Sequence, residues 1–128
     1  MAQHLRTGFG VPESHIHLLC DNDATRKNII AGLESLITHP NIHRGDAIII
    51  YFAGHGSQVR APEGWPAEKG MVETILPVDE GSGDGSSEIY GIPDRTIASI
   101  VYELSEAKGH NIVCLAPTFP RFLLNRAF

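Results

Sequence analysis

Residues 46–56 read Asp-Ala-Ile-Ile-Ile-Tyr-Phe-Ala-Gly-His-Gly, and this stretch decides the fold class. Its continuous run of apolar and β-branched side chains is typical of a strand inside a parallel sheet, where helices cover both faces. We therefore predict a buried strand over residues 46–53 that ends directly before Gly54-His55-Gly56.

The flanking segments alternate between strand and helix patterns. Residues 15–19 read as a strand after a turn-like segment, residues 72–76 as a short strand, and residues 111–116 as a last strand. One helix is predicted after the capping cluster at residues 21–25, from the helical spacing of Ile29, Ile30, Leu33, Leu36 and Ile37. A second runs from Pro93 to Gly109, from the spacing of Ile97, Ile100, Val101 and Leu104. The order β, α, β, α, β predicts a three-layer α/β domain with a mainly parallel sheet.

Composition narrows the class of protein. A chain of 128 residues with 42% hydrophobic and 20% charged residues has the size and balance of one globular domain. Its 15 acidic and 10 basic side chains, net charge −5, argue against nucleic acid or an anionic membrane as partner. The apolar runs are too short to span a bilayer, and the first residues lack a secretion-signal pattern. We expect a cytoplasmic protein.

His55 is the candidate catalytic residue. The carboxyl ends of strands in α/β sheets are where loops converge over a crevice and carry reactive groups. The glycines on either side permit close backbone approach, and an N–H there could face a developing oxyanion. A plain loop histidine at a tight turn is the alternative. We predict that His55 lies in a crevice beside the end of the strand that holds Cys114.

A family resemblance adds to this interpretation. Residues 46–58 resemble the histidine motif of metacaspases and related caspase-fold peptidases. The resemblance covers about residues 5–113. Within it, four further segments are similar to the fungal branch of that family: residues 12–16, 23–25, 77–79 and 91–96.

The resemblance implies a function. It implies a caspase-like fold and a cysteine-type endopeptidase that cleaves peptides or proteins after Arg or Lys. His55 would assist a thiolate nucleophile, and Gly56 would support the oxyanion or the substrate. Metacaspases often require calcium, so the resemblance leaves calcium open as an activator, and it associates the chain with programmed cell death.

The chain also departs from the family pattern. The position expected to hold the nucleophilic cysteine falls near Phe119, and residues 114–128 form a divergent tail. Cys114 comes about five residues earlier, in mid-strand, where burial would raise the thiol pKa and suppress the thiolate. The family's first strand has no counterpart before Leu5. We therefore expect residues 1–128 to form a partial, incomplete domain that is inactive as written, unless the sulfur of Cys114 reaches His55.

Other candidate ligands and thiols are interpreted as structural. Cys20 and Cys114 are predicted to be free thiols, and His15 and His17 would share a strand face without a third metal ligand, so no metal site is predicted. The loop carboxylates Asp79, Glu80, Asp84 and Glu88 do not have EF-hand spacing, and Asp94 is followed by Arg95 where the family often has a second acid. Trp65 is interpreted as a loop anchor.

Two alternative functions remain at this point. One is a catalytically dead interaction or decoy module that pairs with related caspase-like chains through an exposed sheet edge. The other is an unrelated small α/β binding domain.

Overall fold

The computed structural model describes residues 1–85 and 87–116, and these form a mixed α/β structure. The position near Phe119 lies outside the described residues. The helices are α1 (Ala2–Phe9), α2 (Arg26–Thr38) and α3 (Asp94–Lys108), and the strands are β1 (Ile48–Tyr51), β2 (Gly56–Arg60), β3 (Met71–Ile75), β4 (Ile92–Pro93) and β5 (Ile112–Leu115). The α/β class, both predicted helices and three of the predicted strands are confirmed.

The strands divide into two sheets. β1 and β5 pair in parallel, with Ile48 opposite Ile112 and Tyr51 opposite Leu115. The other sheet has the order β2-β3-β4 and is antiparallel. The prediction of a mainly parallel sheet was therefore wrong for β2, β3 and β4. Only residues 52–55 separate β1 from β2, which is far too short for the crossover that a parallel neighbour requires.

Residues 15–19 do not form the predicted strand, so this prediction was wrong. His15 ends a short 3₁₀ turn, Glu13–His15, and the backbone is extended at Ile16 (φ −115°, ψ 110°) and Cys20 (φ −130°, ψ 152°) without a paired strand in the described residues. The segment instead lies along α2, where the His17 ring reaches within 3.3 Å of the place a Cβ on Gly32 would occupy. Extended backbone is not sheet without a hydrogen-bonded neighbour. The shared strand face proposed for His15 and His17 is therefore also absent.

The core lies between α3 and the two sheets. Its buried cluster consists of Ile75, Ile92, Ile97 and Val101, so β3, β4 and α3 all contribute. Partly buried side chains from α2, β1 and β5 pack against that cluster: Ile29, Ile30, Leu33, Ile50, Phe52, Ile112, Cys114 and Ala116. Both sheets therefore share one core.

The opposite face of the β1–β5 sheet is exposed. Ile49, Tyr51, Val113 and Leu115 are 51%, 41%, 48% and 41% accessible, in alternation with the inward residues of the same strands. The helices of residues 1–85 and 87–116 thus leave this face uncovered, and the described part has no third layer there. Parallel sheets are normally covered on both faces.

Helix α1 was not predicted. It contains no buried residue and ends at Gly10 in the left-handed region (φ 64°), while Arg6 forms an ion pair with Glu13. An apolar stripe is the main sequence signal of a helix, and α1 has none that reaches the core. No helix in the described part of the chain has both the length and the apolar character that crossing a bilayer would demand.

The start of α2 is held by a distant loop. The Thr25 side chain accepts a hydrogen bond from the Asn28 N–H, as predicted for a capping residue. Asp79 Oδ1 accepts a second bond from the Arg26 N–H at 2.8 Å, and the Val78 N–H donates to the Ala24 carbonyl at 3.0 Å. Two of the first N–H groups of the helix are thereby satisfied, one of them by a residue 53 positions away.

The end of α3 is tied to the segment that leads into β1. Lys108 Nζ donates to the carbonyls of His39 at 2.9 Å and Ile42 at 2.8 Å. The Lys108 carbonyl in turn accepts from the Gly45 N–H at 2.7 Å. These bonds fix the entry to β1 against the exit from α3, which leads into β5.

Replacing Asp79 with alanine should lower the free energy of unfolding by about 1–2 kcal/mol, because the partly buried N–H of Arg26 at the start of α2 loses its carboxylate acceptor. Urea denaturation measures this change. The matched control is Glu80→Ala, which removes an exposed neighbouring carboxylate and should change stability by less than about 0.5 kcal/mol. Equal effects of the two substitutions would contradict the capping role.

Replacing Lys108 with methionine should cost about 1–3 kcal/mol, because two carbonyls lose a charged donor while most of the side-chain volume remains. Lys27→Met, at an exposed position of α2, is the control and should be nearly neutral. Denaturation of both variants at the same urea concentration would contradict a stabilising role of the Lys108 hydrogen bonds.

Candidate active site

His55 lies in the segment that connects the two sheets. It follows β1 after a bend and directly precedes β2, and its carbonyl accepts a hydrogen bond from the Leu76 N–H at 2.9 Å. The predicted location at the carboxyl end of the strand is therefore confirmed. The side chain of His55 is exposed to solvent.

On the β1 side of His55, contacts of Phe52 fix the backbone. The Phe52 N–H donates to the Leu115 carbonyl at 2.9 Å, which continues the β1–β5 ladder one residue further. The Phe52 ring then folds over Gly54, so that a Cβ at Gly54 would come within 2.6 Å of the ring. A side chain at position 54 would displace the Phe52 ring, which packs against the core cluster.

On the β2 side of His55, hydrogen bonds with β3 fix the backbone. Gly56 is the first residue of β2 and lies opposite Ile75. Because His55 and Leu76 form a hydrogen-bonded pair, the alternation of an antiparallel ladder directs the N–H of Gly56 away from β3. The N–H of Gly56, next to His55, thus points to the outer edge of the sheet and is not used in the ladder with β3. An oxyanion donor needs an N–H that is available in this way.

Cys114 faces the core rather than His55. In the β1–β5 register it lies opposite Ile50, before the end of β1. Its side chain is half-buried against the core cluster, and this burial raises the pKa of the thiol above its usual value. A raised pKa lowers the fraction of thiolate at neutral pH, so the site disfavours nucleophilic reactivity. Cys114 and Cys20 are both free thiols, as predicted.

The candidate calcium ligands do not form a binding set. Asp79 caps α2, Asp84 Oδ1 accepts from the Ser87 hydroxyl at 2.8 Å, and Asp94 Oδ1 accepts from the Arg95 N–H at 2.7 Å. Within residues 1–85 and 87–116 no three His, Cys, Asp or Glu side chains converge as metal ligands would. These carboxylates act in local turns and caps, so the described residues do not fit a calcium ion.

Arg95 has a role that the sequence did not reveal. Its guanidinium lies 4.4 Å from the centre of the Trp65 ring and donates to the Pro66 carbonyl at 3.0 Å. These contacts fix the loop between β2 and β3 to the first turn of α3, and they confirm Trp65 as a loop anchor. A pairing between residues 30 positions apart leaves no periodic signal in one sequence.

Surface grooves lie elsewhere in the described part. Two shallow grooves follow α2 and share Ile30 and Glu34; one continues to Arg95 on α3, and the other to Asp79. Neither is lined by His55. The crevice predicted beside His55 therefore stays a prediction.

Comparison with known proteins places the chain in a family. The family described as "Metacaspase, peptidase C14 domain" matches residues 1–115. The chain is 30% identical over 103 residues to Metacaspase-7 of Arabidopsis thaliana, covering 77% of this chain and 23% of that protein. It is 32% identical over 76 residues to Metacaspase-4 of the same plant, covering 56% of this chain and 18% of that protein. The chain thus spans less than a quarter of the length of these two relatives, and it belongs to the metacaspase family of C14 peptidases.

Proposed function

We propose that this chain is the histidine-bearing part of a caspase-like cysteine endopeptidase domain that cleaves after Arg or Lys, and that the chain as written is inactive. The observation that carries the proposal is the location of His55: the end of β1, next to an outward-pointing N–H, in a chain of the metacaspase family. A cytoplasmic location is part of the same proposal.

The proposed chemistry assigns one role to each group. A thiolate attacks the peptide carbonyl, and the imidazolium of His55, which has taken the proton of the thiol, passes that proton to the leaving amine. The N–H of Gly56 donates to the oxyanion that forms on the carbonyl oxygen. Hydrolysis of the acyl-enzyme then requires His55 to take a proton from water. Each step except the first uses groups that follow β1 directly.

The first step lacks its nucleophile. Cys114 is directed into the core, is aligned with Ile50, and has a raised pKa. The segment where the family has its nucleophile reads Pro117-Thr118-Phe119-Pro120. General acid–base assistance from a histidine does not replace an absent nucleophile, so turnover should be negligible.

A second function is favoured by the uncovered sheet face. Ile49, Tyr51, Val113 and Leu115 present an apolar surface, and the edge of β1 opposite β5 has no partner strand among the described residues. Such a chain could act as a decoy that pairs with an intact caspase-like relative. Adding purified chain to an active metacaspase tests this function: a saturable change in the activity of the relative would support it.

The purified chain should show no calcium-dependent or calcium-independent cleavage of a fluorogenic peptide with Arg before the reporter group. Cys114→Ala and His55→Ala are the matched variants, and both should give the background rate of the unsubstituted chain. Circular dichroism and the urea transition establish that each protein is folded.

Turnover that disappears in both variants would contradict the inactive state and would make Cys114 the nucleophile. Turnover that disappears only in His55→Ala would also contradict the inactive state, and it would exclude Cys114 as the nucleophile.

A further inference from the structure

The exposed side of the β1–β5 sheet carries a small apolar patch. In the parallel register Ile49 lies level with Val113, and Tyr51 lies level with Leu115, so these four side chains stand two by two on one side of the sheet. We call these four residues the outer face. Each is 41% to 51% accessible within the described part of the chain. Parallel sheets are normally covered on both sides, so the outer face is expected to have an occupant.

The chain leaves this sheet and continues into a strongly apolar segment. Residues 117–128 follow Ala116, which comes directly after the end of β5, and they lie outside the described part. Their sequence, Pro-Thr-Phe-Pro-Arg-Phe-Leu-Leu-Asn-Arg-Ala-Phe, holds three of the chain's five phenylalanines, two leucines and no acidic residue. A segment of this composition gains free energy when its side chains leave water.

We propose that residues 117–128 pack on the outer face and supply the cover that this side of the β1–β5 sheet lacks. Pro117 has no N–H to donate to a ladder, which favours departure of the chain from the sheet just after β5. Twelve extended residues reach about 40 Å. The two levels of the outer face are only about 6.6 Å apart along a strand, so the segment is long enough to turn back across it.

A tethered segment fits the outer face better than a second copy of the chain. Four half-exposed side chains give far less than the roughly 1,200 Å² that a stable interface between proteins buries. A tether shorter than a few residues gives an effective concentration in the millimolar range and avoids most of the translational entropy cost of association. Arg121 and Arg126 also match Tyr51, because a guanidinium packs favourably on an aromatic ring.

This packing bears on the decoy function, which uses the same surface. A related chain that binds the outer face would have to displace residues 117–128. The segment would therefore limit such pairing.

NMR of the 128-residue chain with labelled Ile, Leu and Val methyl groups tests the contact directly. Nuclear Overhauser effects should connect the methyl groups of Ile49 and Val113 with ring protons of the phenylalanines at positions 119, 122 and 128. The methyl groups of Val59, an exposed valine of β2, are the control and should show no such effects.

Trypsin cleavage after Arg121 measures how often the segment leaves the outer face, since a packed segment is cleaved only when it opens. Val113→Thr places a hydroxyl in the contact and should raise the cleavage rate roughly fivefold. Val59→Thr makes the same change at a valine that is 43% accessible, against 48% for Val113, and should change the rate by less than about twofold. If Val113→Thr does not fold, the double variant Leu123→Ser with Leu124→Ser replaces it and should also raise the rate.

Absence of the ring-to-methyl contacts, or contacts of those rings only with the grooves along α2, would overturn the proposal. Equal cleavage rates of the unsubstituted chain and Val113→Thr would overturn it as well. Contacts that arise between labelled and unlabelled molecules in a mixed sample would overturn it in favour of a second copy. None of these measurements involves peptide turnover, so the proposal stands or fails independently of the peptidase function.

Discussion

The parallel register of β1 against β5 is the constraint on which the rest of the structure depends. It sets Ile50 opposite Cys114 and lets the ladder continue from Phe52 to Leu115. Since side chains alternate along a strand, that register turns the thiol into the core together with Ile50. A shift by one residue would place Cys114 on the exposed face, beside Tyr51, and would expose half of the apolar side chains that now pack inward.

Several elements hold this register from outside the sheet. Lys108 binds the segment before β1 to the end of α3, and α3 leads directly into β5, so both strands start from the same hydrogen-bonded region. Phe52 closes over Gly54 at the other end, where the chain leaves the parallel sheet. His55 is consequently positioned by backbone contacts on both sides, although its side chain is exposed.

The sequence allowed the helices and the strand before His55 to be predicted because their signals are local. The spacing in α2 and α3, the Thr25 cap and the apolar run of β1 each depend on neighbours within a few residues. The strand at residues 15–19 was predicted wrongly because a strand depends on a partner that its own pattern does not specify. β2 was missed because Gly56-Ser57-Gln58 carries no alternating apolar signal, and the stacking of Arg95 on Trp65 joins distant segments.

The candidate site shows the same difference between features with a local sequence signal and features that depend on distant contacts. His55 could be found from its position after an apolar strand, and the glycines beside it suggested close backbone approach. The sequence could not show that the Phe52 ring lies against Gly54, nor that Asp79 accepts a hydrogen bond from the start of α2. Contacts of that kind follow from tertiary packing.

The central claim is that Cys114 is a core residue and not an activated nucleophile. The pH dependence of alkylation by iodoacetamide, followed by mass spectrometry for each cysteine in the folded chain, tests it most directly. Cys20, which is exposed, should react readily, whereas Cys114 should react much more slowly and with a pH midpoint above that of an ordinary thiol, because burial raises its pKa. Faster reaction of Cys114 than of Cys20 at neutral pH, with a midpoint below the ordinary range, would contradict the account.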